Sequence, residues 1–411
     1  MSIKFIYRCT DCGKEYEGSE TMYLCPDCSI SNTTTRPPKG VLKTVYDFQK
    51  LKNNKVDFAQ LKQNRFLDLM PFEKMESLPV LKVGNTPLYF FDKLNGKNLP
   101  FKLYFKDDSQ NPTFSFKDRA SAVVSAYAKE QGFETIVAAS TGNAGSSLAG
   151  ICACQNQKAI IMVPEAAPIA KLTQIIMYGA TIVPVKGTYD DAFDLSVKAT
   201  EEFGWYNRNT AFNPFTIEGK KTVSFELYEQ LGFQIPDSVF VPVGDGVIIS
   251  GVYKGFEDLL ALGIIEKMPV IVMVQSEGSR NLISNLNTPD FQIIPSVTIA
   301  DSISVDIPRN FYMAKQFIQK YHGEFLTVSD NEIMKASQIL SKNTGIFAEP
   351  AATTAFAGLL SYHHKQKLSA GSKNVVLLTG SGLKDLKSVQ PLLNIPSAII
   401  PNIDNLKKLL S

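Results

Sequence analysis

Short apolar runs alternate with stretches of helical periodicity from about Leu88 to the end of the chain. The runs are continuous, whereas a strand with one face in water alternates apolar and polar positions. Continuous runs are typical of parallel strands that are buried on both faces and joined by helices. We therefore predict an α/β fold with two parallel sheets that share a cleft. The predicted strands are residues 136–139, 160–163, 182–185, 239–241, 270–274 and 375–378.

The residues before this alternation show a different pattern, and the predicted chain divides into four parts. Residues 1–32 contain two cysteine pairs and predict a small zinc-ribbon-like domain. Residues 33–78 begin as a Thr- and Pro-rich linker and continue, from about residue 44, as a Lys-rich, helix-prone arm. The first α/β domain is expected over residues 79–235 and the second over residues 236–411. Segments near residues 80–118 are candidates to cross into the second domain.

Composition and charge narrow the class of partner. The chain has 411 residues, 42 Lys and Arg against 40 Asp and Glu, and a formal net charge of +2. Such a balance argues against binding to nucleic acid or anionic lipid through bulk charge. No run approaches the roughly 18 apolar residues that a membrane-spanning helix needs, and the first residues lack the pattern of a secretory signal. We therefore expect a cytoplasmic protein that acts on a small molecule, with no nucleic acid or membrane partner.

Four of the six cysteines form two Cys-x-x-Cys pairs, Cys9 with Cys12 and Cys25 with Cys28, separated by 12 residues. This spacing predicts one tetrahedral Zn²⁺ held by four thiolates. Two alternatives stay open: a pair of disulfides, which are rare in the cytosol, and a ribbon that has kept its cysteines without the metal. Because four protein ligands leave no open position, the zinc site would be structural.

Three glycine-containing loops follow predicted strands, at residues 140–145, 244–251 and 379–382. Ligands of parallel α/β folds collect at the carboxyl ends of the strands, and a helix that starts there directs free N–H groups at an anion. Each loop alone is a weak signal, because glycines after strands also serve as plain turns. Neither a dinucleotide-binding Gly-x-Gly-x-x-Gly fingerprint nor a Walker motif is present.

A single lysine, Lys117, is the candidate nucleophile. Ser115 is a predicted helix cap with Asp118 three residues later, so Lys117 falls in the first turn of the helix, where a cation opposes the helix dipole. Such locally unfavourable positions are expected at functional sites. A solvated surface lysine is the alternative. Phe114 and Phe116 on either side favour a partly desolvated amine that can form a Schiff base.

Residues 111–119, Asn-Pro-Thr-Phe-Ser-Phe-Lys-Asp-Arg, resemble the cofactor-lysine motif of threonine synthases, which are fold-type II pyridoxal-phosphate enzymes. Further matching segments occur in the order of that family, and some of its members carry an N-terminal Cys-x-x-Cys ribbon. The resemblance implies the tryptophan synthase β-like fold, a pyridoxal 5′-phosphate cofactor, an amino-acid substrate and a homodimer. The matching segments are residues 84–88, 140–143, 218–222, 275–278, 345–351 and 378–385.

The resemblance also implies a role for each matching residue. Lys117 would hold pyridoxal phosphate and move protons at the substrate carbons. Asn143 would bond the ring hydroxyl oxygen, and Thr379 would meet the pyridine nitrogen. Ser140, Thr141 and Asn143 would grip the substrate carboxylate. The cofactor phosphate would lie on the backbone amides of Gly244, Asp245, Gly246, Val247 and Ile248.

Several positions depart from the threonine synthase pattern. Ala144 stands where the family has a hydroxyl beside the substrate, and Thr216 replaces an arginine expected to clamp the phosphate of O-phosphohomoserine. Lys220, in the same segment, is the candidate to compensate as a substrate-binding point charge. Phe114 replaces a glycine, and Ser304 and Asp306 fall where Arg and Gly are common.

These departures concern the substrate and leave the cofactor residues in place. The first expectation is a lyase that converts O-phosphohomoserine to threonine and phosphate. The alternative is a related enzyme with a changed substrate, either cysteate synthase-like on O-phosphoserine or dehydratase-like on serine or threonine. A non-catalytic protein that retains the fold is a third possibility, which Lys117, Asn143 and Thr379 together disfavour.

Overall fold

The computed structural model describes residues 4–410. Its N-terminal part is a three-stranded antiparallel sheet of order β2-β1-β3, followed by two short helices. The sequence predicted helix from about residue 44, and this is wrong at the start of the arm. Residues 42–46 alternate between buried and partly exposed, so the segment pairs with β1 as a strand instead. The elements are β1 Phe5–Cys9, β2 Glu15–Glu17, α1 Pro26–Ser29, β3 Leu42–Tyr46, α2 Phe48–Asn53 and α3 Phe58–Gln63.

Ten further strands form two sheets, and all six predicted strands are confirmed. A six-stranded sheet has the order β12-β11-β10-β13-β5-β4, and a four-stranded sheet has the order β8-β7-β6-β9. Every pair in both sheets is parallel except β4 with β5. The strands are β4 Leu88–Leu94, β5 Lys97–Asp107, β6 Thr135–Ala139, β7 Lys158–Pro164, β8 Thr181–Val185, β9 Tyr206–Asn207, β10 Ser238–Pro242, β11 Val270–Ser276, β12 Glu324–Val328 and β13 Lys373–Leu378.

Helices cover both faces of the large sheet, as continuous apolar strands require. Val239 and Val241 of β10 pack into one core cluster and Phe240 into another, and all three are fully buried. No helix within residues 4–410 is long and apolar enough to cross a membrane. The helices are α4 Lys117–Glu130, α5 Asn143–Gln155, α6 Ile169–Met177, α7 Tyr189–Phe203, α8 Phe215–Lys220, α9 Thr222–Gln230, α10 Val247–Leu262, α11 Asn281–Ser284, α12 Phe311–Lys320, α13 Asp330–Thr344, α14 Pro350–His364, α15 Leu386–Val389 and α16 Ile403–Leu410. Short 3₁₀ helices lie at Leu67–Leu69, Met75–Ser77, Asp108–Gln110, Asp301–Ile303, Gly382–Lys384 and Gln390–Leu392.

The chain crosses between the sheets before α4. Strands β4 and β5 belong to the six-stranded sheet with β10 to β13, whereas β6 to β9 form the smaller sheet. The cross-over falls in the region near residues 80–118 where the sequence indicated it, and the domain limits themselves stay a prediction. The loops after β5, β6, β9, β10 and β13 all leave carboxyl ends of parallel strands, which is where such folds bind ligands.

Candidate active site

Lys117 is the first residue of α4, as the sequence predicted. The segment before it is fixed to the loop after β13, because the Phe116 N–H donates to the Thr379 carbonyl at 2.9 Å and Ser115 bridges to Gly380. The predicted Ser115 cap is wrong: its hydroxyl is buried without a partner, and α4 has no side-chain cap. The Asp118 carboxylate accepts instead from the Thr113 backbone N–H at 2.7 Å, so it binds the turn before the helix.

The two aromatic neighbours of Lys117 behave differently. Phe116 is fully buried, but Phe114 is 48% exposed, so only one of them desolvates the amine. Phe114 has a φ of +68°, in the left-handed region that favours glycine. The glycine that the resemblance leads one to expect at this position would adopt this conformation without strain.

The Lys117 amine is half-buried and makes no hydrogen bond or ion pair with any residue from 4 to 410. Burial lowers its pKa, while Glu349 and Asp245 act in the opposite direction. A lowered pKa increases the fraction of neutral amine, which is the form that attacks a carbonyl. Lys117 therefore has the environment of a Schiff-base lysine.

The amine faces a cavity of about 490 Å³ between the two parallel sheets. Nearly all of the predicted cofactor and substrate residues line it, although they come from four separate segments of the chain. Thr379 is the exception, since it is buried and does not line the cavity. The predicted residues that line the cavity are Lys117, Ser140, Thr141, Asn143, Lys220, Gly244, Asp245, Gly246, Val247 and Ile248.

The loop at residues 244–248 leads from β10 into α10 and presents its backbone amides to the cavity. In the described part of the chain, none of these five N–H groups has a protein acceptor. Gly246 allows the turn, because its φ is +84° and it caps α10 without a side-chain bond. Five free amides at a helix N-terminus suit a phosphate group. The Asp245 carboxylate accepts from the Arg309 backbone at 3.3 Å.

A second group of free amides lies at the start of α5, after β6. The N–H groups of Thr141, Asn143 and Ala144 have no protein acceptor within residues 4–410. The helix is capped by Gly142, with no side-chain bond. These amides line the same cavity and suit a carboxylate.

Asn143 contacts a buried acid to which the sequence assigned no role. Its Nδ2 donates to the two carboxylate oxygens of Glu349 at 3.0 and 3.1 Å. Glu349 is 3% exposed, and burial raises its pKa. The segment around Glu349 matches the family pattern, and this match was the available sign in the sequence that Glu349 has a role. The contact with Asn143 could not be predicted, because the two residues are 206 positions apart.

Besides Lys117, two cations at the cavity have no carboxylate partner. Arg208 follows the two-residue strand β9 and is 1% exposed, and Lys220 is fully buried. Neither forms an ion pair with any residue between 4 and 410. The sequence had singled out Lys220, but Arg208 lies outside every motif and was missed. Thr216 is buried, does not line the cavity, and donates to the Asn213 carbonyl at 2.8 Å.

The ribbon brings its four cysteines together outside this cavity. The sulfurs of Cys9, Cys12, Cys25 and Cys28 lie within 4.8 Å of one another, and all four are free thiols. The Cys9–Cys28 and Cys12–Cys25 sulfur distances are both 3.8 Å. A tetrahedron with zinc–sulfur bonds of about 2.3 Å has an edge of about 3.8 Å, whereas a disulfide needs about 2.0 Å. The geometry therefore suits a metal and not two disulfides.

The cavity fits pyridoxal phosphate on three observations: an unpartnered lysine amine, five free amides for a phosphate, and a second amide group for a substrate carboxylate. A family model described as pyridoxal-phosphate dependent enzyme matches residues 80–380. Fold and site thus define a fold-type II enzyme that uses pyridoxal phosphate.

Curated relatives narrow this class. The threonine synthase of Methanocaldococcus jannaschii is 36% identical over 390 residues, covering 92% of this chain and 93% of the relative. That of Methanosarcina acetivorans is 32% identical over 411 residues, with 98% and 97% covered. The chain belongs to the threonine synthase family.

Solved structures agree with the fold. The processed form of threonine deaminase isoform 2 from Solanum lycopersicum superposes with a TM-score of 0.66 at 23% identity, covering 78% of this chain and 90% of that one. Maize serine racemase gives 0.62 at 25% identity, with 75% and 92% covered. These neighbours share the architecture, and the family assignment rests on the curated relatives.

Proposed function

We propose that the protein converts O-phosphohomoserine and water to threonine and inorganic phosphate. In this reaction the bond between Cγ and the phosphate oxygen breaks, and water adds its hydroxyl to Cβ. The identity to threonine synthases over nearly the whole chain carries the proposal. The cavity supports it, because the substrate and cofactor bring three anionic groups to a site lined by free backbone N–H groups and by Arg208 and Lys220, which have no carboxylate partner among residues 4–410.

The predicted cofactor and substrate residues have the following proposed tasks. Bound pyridoxal phosphate supplies an electron sink for negative charge that develops on the substrate carbons. Lys117 holds the cofactor and, when released, moves protons at those carbons. The amides of residues 244–248 hold the cofactor phosphate, and Ser140, Thr141 and Asn143 hold the substrate carboxylate. Asn143 would also bond the ring hydroxyl, and Thr379, although it does not line the cavity, is assigned the pyridine nitrogen by the family resemblance.

Purified holoenzyme incubated with O-phosphohomoserine tests the proposal. Phosphate and threonine are expected in equal amounts, and the Lys117→Ala variant is expected to form neither and to lack the absorbance band of lysine-bound cofactor. O-Phosphoserine, serine and threonine serve as parallel substrates, because Ala144 lines the cavity where the family carries a hydroxyl. Faster turnover of any of these three would replace the proposed substrate with the changed-substrate alternative.

We further propose that the four ribbon cysteines bind one structural Zn²⁺. The sulfur distances of 3.8 Å support this, and the closed set of four ligands leaves no position for catalysis. Elemental analysis is expected to find one zinc per chain. A zinc-free protein with an unaltered unfolding curve would contradict the structural role.

We also propose a cytoplasmic homodimer. The C-terminal helix α16 supports an interface between two copies of the chain, because its apolar residues Ile403, Leu406 and Leu410 are all at least 40% exposed. Light scattering of the purified protein measures the mass directly. A mass of about 45 kDa, that of one chain, would contradict the dimer.

A further inference from the structure

Three anions must bind in the proposed reaction, but the backbone provides for only two. The amides of residues 244–248 suit the cofactor phosphate, and the amides at the start of α5 suit the substrate carboxylate. The phosphate of the substrate needs a third group of donors. At the position where the family resemblance leads one to expect a clamping arginine, Thr216 does not line the cavity, and its hydroxyl donates to the Asn213 carbonyl just before α8.

Arg208, which lines the cavity, has one donor nitrogen without a partner in the described part of the chain. Its Nε donates to the Ser121 hydroxyl at 3.2 Å and its Nη1 to the Thr210 hydroxyl at 3.0 Å. The remaining Nη2 is buried and has no hydrogen-bond partner. Two neutral hydroxyls thus fix the orientation of the guanidinium without neutralising its charge. A buried charge without a counter-ion is costly, so proteins seldom keep one unless a ligand completes it.

Lys220 adds a second unpaired charge to the same wall. Its ammonium donates only to the Thr216 carbonyl, at 3.2 Å. Its Cβ lies so close to α10 that a Cβ on Gly251 would be 2.5 Å away, which brings the lysine beside the helix that carries the 244–248 loop. Burial lowers the pKa of Lys220, and the charges of Arg208 and Lys117 lower it further. An anion that enters beside these groups would offset the repulsion and favour the charged form of Lys220.

We propose that Arg208, assisted by Lys220, binds the phosphate of the substrate at a subsite separate from the amides that hold the cofactor phosphate. The inference rests on the proposed function. It assigns the binding of the substrate phosphate to Arg208, in place of the arginine expected at the position of Thr216. The fork of a guanidinium can hold two oxygens of a phosphate monoester, and Lys220 supplies a point charge beside it. Arg208 is then a residue that selects phosphorylated substrates.

Binding to the holoenzyme tests the subsite without turnover. The probes are 2-amino-5-phosphonopentanoate, which carries a phosphonate, and norvaline, which has the same carbon chain without it. Calorimetry measures both dissociation constants for the wild type, Arg208→Gln, Arg208→Lys and Lys220→Gln. Arg280→Gln makes the same change at an exposed arginine outside the cavity and is the matched control. Cofactor content and unfolding temperature are recorded for every variant.

The wild type should bind the phosphonate more tightly than norvaline. Arg208→Gln should weaken phosphonate binding about 10- to 100-fold, the loss of a hydrogen bond to a charged group, while norvaline binding and cofactor content stay within about twofold. Arg208→Lys should weaken phosphonate binding less than Arg208→Gln does, and Lys220→Gln should weaken it about 3- to 10-fold. Arg280→Gln should leave phosphonate binding unchanged.

Equal losses for both probes in Arg208→Gln would overturn the inference, because they indicate a general structural effect. Loss of cofactor with unchanged phosphonate affinity would overturn it as well, since Arg208 would then serve the cofactor phosphate. If Arg208→Gln does not fold, unchanged phosphonate binding in Arg208→Lys and Lys220→Gln contradicts the subsite. A wild type that binds the phosphonate tightly but forms no threonine refutes the proposed reaction and leaves this inference standing.

Discussion

A buried arginine next to the cofactor lysine holds α4 in place, and its removal should be one of the most destabilising single changes in the protein. Arg119 is 2% exposed and makes four bonds to two carboxylates. Its guanidinium donates to Asp108 at 2.6 and 3.0 Å and to Glu226 at 2.5 and 2.8 Å. These bonds join the start of α4 to the loop after β5 and to α9.

The structure sets the size of the effect. Arg119→Met keeps the length of the side chain but leaves Asp108 fully buried with only Thr86 and Asn111 as donors. Glu226 retains Lys106 at 2.5 Å, so it is partly compensated. Removing one partner of a buried ion pair costs about 3–5 kcal/mol. We expect a loss of that order in the free energy of unfolding.

Urea unfolding of the holoenzyme, followed by circular dichroism, measures the loss. Arg8→Met is the matched control, because Arg8 pairs with Glu15 at 2.6 Å with both side chains 49% exposed. An exposed pair contributes about 1 kcal/mol or less. If Arg119→Met costs no more than Arg8→Met, the reasoning about burial is refuted.

Acid provides a second readout of the same ion pair. Burial alone would raise the pKa of Glu226, but Arg119 and Lys106 lower it from an ordinary 4.5 to about 2. A lowered carboxyl pKa contributes stability that is present above pH 4.5 and is lost as the pH falls towards 2. The wild type should therefore lose stability across this window, and Arg119→Met should lose less. Parallel acid profiles would contradict the assignment.

Three further changes test other parts of the molecule. Gly246→Ala forces a side chain into a φ of +84° in the cofactor phosphate loop and should weaken pyridoxal phosphate binding about 5- to 30-fold. The control Gly132→Ala, at a φ of +77° with open space around it, should lower only the unfolding temperature. Equal cofactor affinities in the two variants would contradict the role of the loop. Removal of zinc by a chelator, or Cys9→Ser, should lower the unfolding temperature with little change in the rate per folded enzyme; a selective loss of turnover would contradict a structural site. Glu349→Gln removes the charge that raises the pKa of Lys117, so cofactor capture by the apoenzyme at pH 7 should become faster; a slower or unchanged capture rate would count against this reading.

The sequence predicted the parallel strands well because their signal is local. Residues 239–241 and 375–378 are apolar at every position, and both lie at the centre of the large sheet. Strand β12 was missed because it is an edge strand, with Glu324 and Phe325 exposed. Strand β3 was missed because its Lys-rich surroundings favour helix, and its pairing with β1 outweighs that preference.

The candidate site also contains residues that the sequence predicted and one that it did not. Motifs that follow strands brought Lys117, Asn143 and the 244–248 loop to one cavity, since the carboxyl ends of parallel strands from both sheets lead into it. Arg208 could not be found from the sequence, because a lone arginine after a two-residue strand has no pattern. Its burial and its free Nη2 depend on Ser121 and Thr210, which only the folded chain places around it.

The most direct test of the central claim is to run the reaction of O-phosphohomoserine in ¹⁸O-labelled water and to measure the label in each product by mass spectrometry. If Cγ–O cleavage is followed by addition of water at Cβ, threonine gains one ¹⁸O and the released phosphate gains none. Labelled phosphate with homoserine would indicate hydrolysis at phosphorus, and 2-oxobutanoate would indicate elimination without water addition at Cβ. Either result would contradict the account.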